Sequence, residues 1–261
     1  MQKLNQSYIN SVVRKALEED LRPRGDITTN LITSKNKIIK AKIIAKQDGV
    51  MAGLDFCKTA FKLIGSEAVF TKKISDGKKI KKNKVIAIIK AKKKTILTAE
   101  RTALNFLNHA SGIATITNQF VKKISKKTKI CCTRKTTPNL RALEKYAVKK
   151  GGGHNHRYNL SDEILIKDNH ISASNNLREL VKKAIKTKKI VTVEIESINQ
   201  LKQILEYVFL STLQTTIRYK KNKSIDIELL VMMKIGANHL KVMKLIGYQK
   251  IAVNMNSKFR L

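Results

Sequence analysis

The chain has 261 residues, of which 42% are hydrophobic, and a formal net charge of +35. This length allows one large domain or two modest ones with a real core. No apolar run approaches the ~18 residues of a membrane span, and the N-terminus lacks the apolar core of a signal peptide, which argues against a membrane or secreted protein. Cys57, Cys131 and Cys132 are too few for a disulfide framework and indicate reduced thiols in a cytoplasm.

The positive charge suggests nucleic-acid binding as one hypothesis, because clustered cations release counterions from phosphate backbones. The composition argues against this as the main function. Only ten of the 54 basic residues are Arg, the residue preferred for bidentate contacts, and the chain has no Trp for base stacking. The lysines are spread along the chain, as an AT-rich genome would produce. The field would still attract small anionic substrates.

The first third of the chain mixes predicted helices and strands without regular alternation. Apolar residues at helical spacing predict helices over 4–20 and 53–64. β-Branched residues predict a strand over 37–47, and short strands with turns follow between 70 and 93. This order is typical of an α+β sandwich.

The pattern then changes to alternating strands and helices. Two helices, 97–110 and 113–125, precede apolar strands at 129–133, 163–167 and 189–196, each followed by a helical segment. Further strand-like segments appear at 224–231 and 250–253. Repeated βα units predict a parallel sheet, and this many in succession favour a barrel over a doubly wound sheet.

The carboxyl ends of barrel strands carry the chemistry of such folds. That rule selects Thr133-Arg134-Lys135, Lys167 to His170, and Glu194 with Glu196. The two basic residues that follow Thr133 precede a helix opened by a proline. Their side chains could therefore project at the mouth of the barrel.

The stretch KKGGGHNHRYNLSDEILIKDNH, residues 149–170, joins three glycines to many polar side chains. One glycine would end a helix, so three indicate that the backbone approaches something closely. His156 and Arg157 supply donors, and we expect this loop to be held over the barrel mouth. Lys167 follows the buried residues 164–166, where its charge needs an anionic partner.

These cations and one or two carboxylates describe a pocket for a small polyanion, with a sugar diol or a metal held by the acids. Zinc-type ligand spacing, a phosphate-binding P-loop and a dinucleotide fingerprint are all absent from the sequence. The cysteines also lack the partners that a nucleophile requires. The set of cations comprises Arg134, Lys135, His156, Arg157 and Lys167.

Three motifs resemble the carboxylating nicotinate-nucleotide pyrophosphorylases, also called quinolinate phosphoribosyltransferases. They are AERTALNFLNHASGIAT (99–115), the long segment from TRKTTPNL to IKDNH (133–170), and VEIES (193–197). GDITT (25–29) and AKIIAKQDGVMAG (41–53) fit the N-terminal domain of that family.

The resemblance implies a fold and a reaction. The fold is an N-terminal α/β sandwich domain, residues 1–110, followed by an incomplete parallel α/β barrel, residues 111–261, that carries the active site. In the reaction, quinolinate attacks C1 of phosphoribosyl pyrophosphate, and pyrophosphate and carbon dioxide leave. Nicotinate mononucleotide for NAD synthesis remains. The resemblance further implies a cytoplasmic homodimer that uses Mg²⁺ and no organic cofactor.

The resemblance also implies roles for individual residues. Arg134, His156, Arg157 and Lys167 are expected to bind quinolinate, and Arg101 to reach it across a dimer interface. Lys135 and Glu194 are expected to contact phosphoribosyl pyrophosphate, with Glu194 on the ribose or metal side. Thr133 completes the substrate-binding set, and the residues expected to be catalytic are Lys135, Glu194 and Lys167. No residues are assigned to a resident metal.

After Tyr207 the sequence departs from the family pattern. The expected strand ending in Leu-Asp-Asn has no acid here, and Met232 and Met233 stand at the glycines of a Ser-Gly-Gly-Ile phosphate loop. Asn254 replaces the glycine of the last phosphate loop. Backbone N–H groups reach a phosphate where glycine permits close approach. We therefore expect an intact quinolinate pocket and much reduced affinity for phosphoribosyl pyrophosphate.

Several interpretations of this pattern stay open. Either the gene is decaying or the phosphoribosyl side has been remodelled. A related phosphoribosyltransferase for another aromatic acid is a second enzyme hypothesis, against which the full cationic set favours a dicarboxylate. A third hypothesis is a catalytically degenerate homologue that persists as a folded dimer, or a basic nucleic-acid-binding protein.

Overall fold

The computed structural model of the chain describes residues 4–32, 37–124, 129–210, 213–217 and 232–233. These residues fall into two compact units. The first lies within Met1–Ser125 and Lys135–Asn155, and the second within Lys126–Arg134 and His156–Ser257. The predicted domain boundary after residue 110 lies inside a continuous helix and stays a prediction.

Eight helices are described in these parts of the chain. They are α1 (Gln6–Leu21), α2 (Ile27–Ile32), α3 (Leu54–Ile64), α4 (Lys93–Lys123), α5 (Arg141–Lys150), α6 (Asp168–Ser174), α7 (Leu177–Lys186) and α8 (Ile198–Leu210).

Eleven strands are described in the same residues. They are β1 (Ile38–Ile44), β2 (Gly49–Val50), β3 (Val69–Lys72), β4 (Lys79–Ile80), β5 (Val85–Lys92), β6 (Cys131–Cys132), β7 (His154–Asn155), β8 (Ile164–Ile166), β9 (Val191–Ile195), β10 (Leu213–Ile217) and β11 (Met232–Met233).

The first unit combines an antiparallel sheet in the order β1-β5-β3 with helices. The central strand β5 is apolar, and Ile86, Ala87, Ile89 and Ala91 on it are buried. They share one hydrophobic core with residues of the helices, such as Leu107 of α4. This arrangement agrees with the mixed helices and strands expected for the first third of the chain.

Helix α4 differs from its prediction. The sequence predicted two helices, 97–110 and 113–125, whereas the structure has one helix of 31 residues from Lys93 to Lys123. Gly112 lies inside it and is buried. A glycine in a helix costs roughly 1 kcal/mol relative to alanine. The buried apolar face, which continues from Leu107 to Ala114, outweighs that cost.

The three consecutive glycines end α5 and pack against α4. A Cβ on Gly151 would lie 2.4 Å from the carbonyl oxygen of Ala114, and a Cβ on Gly153 would lie 2.8 Å from Cγ2 of Thr117. Gly152 has a φ of +92°, which favours glycine. The predicted close approach of backbone is therefore confirmed, but its partner is a helix of the same unit. The glycines are explained by this packing rather than by a loop over a barrel mouth.

The second unit is a sheet in the order β11-β10-β9-β8 with helices. Strands β8, β9 and β10 are parallel, as the alternating pattern predicted. Strand β11 pairs antiparallel with β10, a pairing that the pattern did not predict. Val181 of α7 and Ile204 of α8 pack on Val193 and Ile195 in a second core. The strands predicted at 224–231 and 250–253 lie outside the described residues.

The mixed helices and parallel strands confirm the α/β fold class. Among the helices that the structure describes, none is long and apolar enough to span a membrane.

Candidate active site

The strand register brings Lys167 and Glu194 together in the second unit. Strands β8 and β9 are parallel, and Ile166 of β8 pairs with Val193 of β9. Lys167 follows Ile166 and Glu194 follows Val193, so these two residues lie side by side. Side chains at the same register on neighbouring strands point to the same face. The ammonium Nζ of Lys167 lies 3.7 Å from Oε1 of Glu194. The sequence-based expectation that Lys167 meets an anion at the strand end is thus confirmed.

Glu194 is buried although it is ionisable. It is 5% exposed, and its Oε2 has no hydrogen-bond partner within the part of the chain that the structure describes. Thr192, two residues earlier, is 0% exposed, and its hydroxyl is likewise unsatisfied among the described residues. Residues two apart on a strand share a face. This face of β9 therefore offers buried oxygen atoms that could accept from a ligand or its ion.

Arg157 and His156 lie beside Glu163, just before β8. Nη1 of Arg157 donates to the carbonyl oxygen of Glu163 at 3.5 Å. Nε2 of His156 lies 3.6 Å from Oε2 of Glu163, and the His156 side chain is 6% exposed. Both side chains are therefore largely withdrawn from solvent at the entrance of the strand that leads to Lys167.

Arg157 lies among opposing charges. Its burial lowers the pKa of the guanidinium, the nearby charge of Arg134 lowers that pKa further, and the carboxylates of Glu194 and Glu163 raise it. The net direction is downward. These influences on the pKa of Arg157 place Arg134, Glu163 and Glu194 in its electrostatic neighbourhood. Arg157 is buried and Arg134 is half-buried, and an added anion would stabilise two guanidinium groups that repel each other.

A short helix, α6, begins directly after Lys167. The backbone N–H of Lys167 donates to Nδ1 of His170 at 3.0 Å. His170 thereby holds the backbone at the strand end, a role that the sequence did not suggest beyond its position.

The predicted site residues are divided between the two units. Thr133, Arg134, His156, Arg157, Lys167 and Glu194 belong to the second unit. Arg101 is exposed on α4, and Lys135 is exposed before α5, both in the first unit. Within the second unit the structure brings Arg134, Arg157, Lys167 and Glu194 together. The binding and catalytic roles assigned to all of these residues stay predictions.

Sequence reasoning missed Glu163 and the pair His109–Glu144. Glu163 directly precedes the apolar strand residues 164–166, so its place at a strand start was the only available signal. Nε2 of His109 lies 2.9 Å from Oε1 of the buried Glu144, but 35 residues separate them in the sequence. Contacts of that separation leave no local pattern.

Metal-ligating side chains are not clustered in the described residues. No group of three or more His, Cys, Asp or Glu side chains that could hold a metal occurs in the residues that the structure describes. A single buried carboxylate, Glu194, is what the site offers. Mg²⁺ often binds through one or two carboxylates and the phosphates of a substrate, so this donor set fits an ion that arrives with a phosphorylated ligand.

Two protein-family models match most of the chain. The family model described as the N-terminal domain of quinolinate phosphoribosyl transferase matches residues 26–111. The model of the C-terminal domain of the same enzyme matches residues 113–239. The second match extends beyond Tyr207, where the sequence departs from the family motifs.

Individual relatives show the same likeness. The chain is 40% identical over 205 residues to a probable carboxylating nicotinate-nucleotide pyrophosphorylase from Methanocaldococcus jannaschii, which covers 76% of this chain and 70% of that protein. A probable enzyme of the same name from Bacillus subtilis is 38% identical over 206 residues, covering 77% of this chain and 71% of that protein.

Solved structures extend the comparison to the fold. The crystal structure of NadC from Streptococcus pyogenes has a TM-score of 0.76 and 34% identity, over 84% of this chain and 86% of that one. The nicotinate-nucleotide pyrophosphorylase from Francisella tularensis has a TM-score of 0.71 and 38% identity, over 78% and 72%. The chain belongs to the quinolinate phosphoribosyltransferase family.

Proposed function

We propose that this protein is a quinolinate phosphoribosyltransferase, a pentosyltransferase that makes nicotinate mononucleotide from quinolinate and phosphoribosyl pyrophosphate in de novo NAD synthesis. The observation that carries the proposal is the arrangement of charged side chains around the buried Glu194 in the second unit. Lys167, 3.7 Å from the buried Glu194, stands in one neighbourhood with Arg134 and Arg157. Membership in the family supplies the reaction.

Quinolinate is a dianion on a planar ring, and planar guanidinium groups suit its carboxylates. Arg134 and Arg157 would bind these carboxylates. The negative charge of quinolinate would then relieve the repulsion between the two guanidinium groups. His156 and Lys167 would complete the quinolinate-binding set, and Arg101 would reach it from another protomer. Thr133 would contribute its hydroxyl to the same set. This clamp would hold the pyridine nitrogen toward C1 of the ribose.

The second substrate would bind on the side of Glu194 and Lys135. The ribose gains positive charge as pyrophosphate leaves C1, and a buried carboxylate such as that of Glu194 stabilises that charge. Lys135 would contact the phosphates. The carboxylate of Glu194, whose Oε2 has no hydrogen-bond partner among the described residues, would hold a Mg²⁺ ion bound to phosphoribosyl pyrophosphate. Such an ion would supply charge neutralisation at the pyrophosphate leaving group.

Carbon dioxide would leave after the ribosyl bond has formed. The pyridine nitrogen is then quaternary and withdraws electrons from the adjacent ring carbon. The carboxylate leaves as carbon dioxide, and the electron pair of the broken C–C bond stays on the ring carbon. A proton then binds to that carbon. No organic cofactor is required, and the working form would be a cytoplasmic homodimer.

Weak binding of phosphoribosyl pyrophosphate is the second part of the proposal. The residue of β10 in register with Glu194 is Thr216, and β10 as a whole (LQTTI) contains no acid. Met232 and Met233 form β11 beside it. A site with one carboxylate where the family pattern expects two would hold the metal–pyrophosphate group less tightly.

A degenerate homologue without turnover is the second candidate function, and the acid-free β10 is the observation that favours it. Turnover and binding separate the two. Two measurements test the proposal. Calorimetric titration measures the binding of quinolinate, and chromatography detects nicotinate mononucleotide after incubation of the protein with both substrates. We expect binding and product. Binding without product at millimolar phosphoribosyl pyrophosphate supports the degenerate homologue, and absence of quinolinate binding contradicts both.

A further inference from the structure

A buried carboxylate of the first unit holds the segment that follows Lys135. Both oxygens of Glu144 accept from the backbone N–H of Thr137, each at 3.3 Å. Oε1 of Glu144 also receives the Nε2–H of His109 at 2.9 Å. Glu144 is 7% exposed and lies in the first turn of α5, and His109 lies on α4. One carboxylate therefore ties two helices to a loop.

Two further bonds fix the same loop to the start of α5. Nε of Arg141 donates to the hydroxyl of Thr136 at 3.1 Å, and the N–H of Leu140 donates to the carbonyl of Thr137 at 3.1 Å. Together with Glu144 they engage both residues that follow Lys135. Hydrogen bonds thus hold the loop at Thr136 and at Thr137.

The charge state of Glu144 suits this role. Burial acts to raise the pKa of Glu144, but the hydrogen bonds from His109 and Thr137 and the charge of His109 lower it more, so the net direction is downward. The ionised carboxylate offers two acceptor oxygens, whereas an amide offers one oxygen and an NH₂ group that only donates. In Glu144→Gln the N–H of Thr137, which lies 3.3 Å from both oxygens of Glu144, therefore faces an NH₂ group at one of them, and the negative charge is lost.

The side chain of Lys135 is exposed, and its ammonium is carried by the backbone of residues 135–137. A displacement of about 1 Å in a binding group can cost about a hundredfold in rate. The Glu144 carboxylate holds the N–H of Thr137, which lies two residues beyond Lys135 and is therefore close enough to control that displacement.

We propose that Glu144 is a positioning residue for Lys135, acting through the backbone N–H of Thr137, with His109 orienting the carboxylate. The inference rests on the proposed function, in which Lys135 contacts phosphoribosyl pyrophosphate. Glu144 touches no substrate. It sets the path of the loop that does.

Asp76 provides a matched control in the same unit. Its carboxylate accepts from the backbone N–H groups of Gly53 and Leu54 at 3.1 and 3.3 Å and from the hydroxyl of Tyr146 at 2.7 Å. Tyr146 belongs to α5, as Glu144 does. Asp76→Asn therefore weakens a comparable set of hydrogen bonds to α5, and it leaves the loop of Lys135 unchanged.

The test compares wild type, Glu144→Gln and Asp76→Asn by steady-state kinetics and by hydrogen exchange of peptides over residues 133–140. We expect Glu144→Gln to raise the KM for phosphoribosyl pyrophosphate by about tenfold, with kcat and the KM for quinolinate changed by less than about threefold. We expect faster exchange at Thr137 in this variant alone. Equal kinetics and equal exchange in Glu144→Gln and Asp76→Asn would overturn the inference.

Two further measurements keep the result decisive. If Glu144→Gln does not fold, His109→Phe removes the imidazole that orients the Glu144 carboxylate and should shift the same KM in the same direction, and an unchanged KM overturns the inference. If wild type forms no product, the proposed function fails by itself. Calorimetry then measures the affinity of wild type and of the same variants for phosphoribosyl pyrophosphate. The same affinity in wild type and Glu144→Gln, or no binding to wild type, overturns the inference.

Discussion

The ammonium of Lys167 lies 3.7 Å from the carboxylate of Glu194, at matching positions on two parallel strands. Glu194 is almost fully buried, whereas the Lys167 side chain is 29% exposed. The lysine can therefore face a ligand while it balances the buried acid. This pair links the fold to the proposed chemistry, because the strand register alone creates it.

Replacing Lys167 by methionine should abolish most activity. The side chain keeps its length and loses its charge, so the buried Glu194 loses the ammonium that lies 3.7 Å from it and quinolinate loses a cation. We expect kcat/KM to fall by about 100-fold or more. Lys183→Met is the control, because Lys183 pairs with Glu179 on the exposed surface of α7, and such pairs contribute at most about 1 kcal/mol. Similar kinetics in the two variants would refute the role of Lys167.

Thr192→Val should stabilise the protein. The hydroxyl of Thr192 is fully buried and has no hydrogen-bond partner among the residues that the structure describes. Valine keeps the shape and removes the unsatisfied group, so we expect the free energy of unfolding to rise by about 1 kcal/mol in urea denaturation. Thr192→Ser keeps the hydroxyl, loses a methyl group and should destabilise. A loss of stability in Thr192→Val would show that the hydroxyl is bonded in the folded protein.

Glu144→Gln should lower stability in a manner that depends on pH. The folded pKa of Glu144 lies below its ordinary value of 4.5, so its stabilising effect is fully present above that value. The effect is lost as the pH falls through the lower, folded pKa. We expect a loss of about 1 to 3 kcal/mol at pH 7, which shrinks as the pH falls below about 4. Urea titrations at several pH values check this, and a constant difference between the variants would contradict it.

Gly151→Ala should destabilise the first unit far more than Gly25→Ala. A Cβ at Gly151 meets backbone and side-chain atoms of α4 at 2.4 and 2.7 Å, whereas a Cβ at Gly25 meets nothing within 4 Å. Gly25 has a φ of +69°, so alanine there carries only backbone strain of about 1 kcal/mol. At Gly151 two packed helices must separate, and we expect a loss of about 3 kcal/mol. Thermal unfolding of the two variants distinguishes the costs, and equal shifts would contradict the packing.

The sequence predicted the fold class because short buried strands and amphipathic helices alternate with clear periods. It divided α4 in two because Gly112 interrupts an otherwise helical pattern, and tertiary burial overrides such local signals. The antiparallel pairing of β11 could not be predicted, since pairing depends on the path of the chain rather than on local composition. The strand ends of β8 and β9 were placed well enough to nominate Lys167 and Glu194.

The site was predictable where charge follows an apolar strand and unpredictable where contacts are distant. Arg157 and Lys167 stand beside β8 in the sequence, so their convergence followed from one motif. Glu144 and His109 meet only because α4 and α5 pack together. The glycines from Gly151 to Gly153 are a third case. Their sequence indicated a close approach of the backbone to another group, but it did not indicate that this group is helix α4.

The most direct test of the account is the rate of nicotinate mononucleotide formation by the wild-type chain, measured while each substrate is varied in turn. We predict product, an ordinary micromolar-range KM for quinolinate, and a KM for phosphoribosyl pyrophosphate raised by about tenfold or more over that of a relative with the complete family motifs. Ordinary constants for both substrates would contradict the weakened phosphoribosyl side. Absence of product at saturating concentrations of both substrates would contradict the proposed enzyme itself.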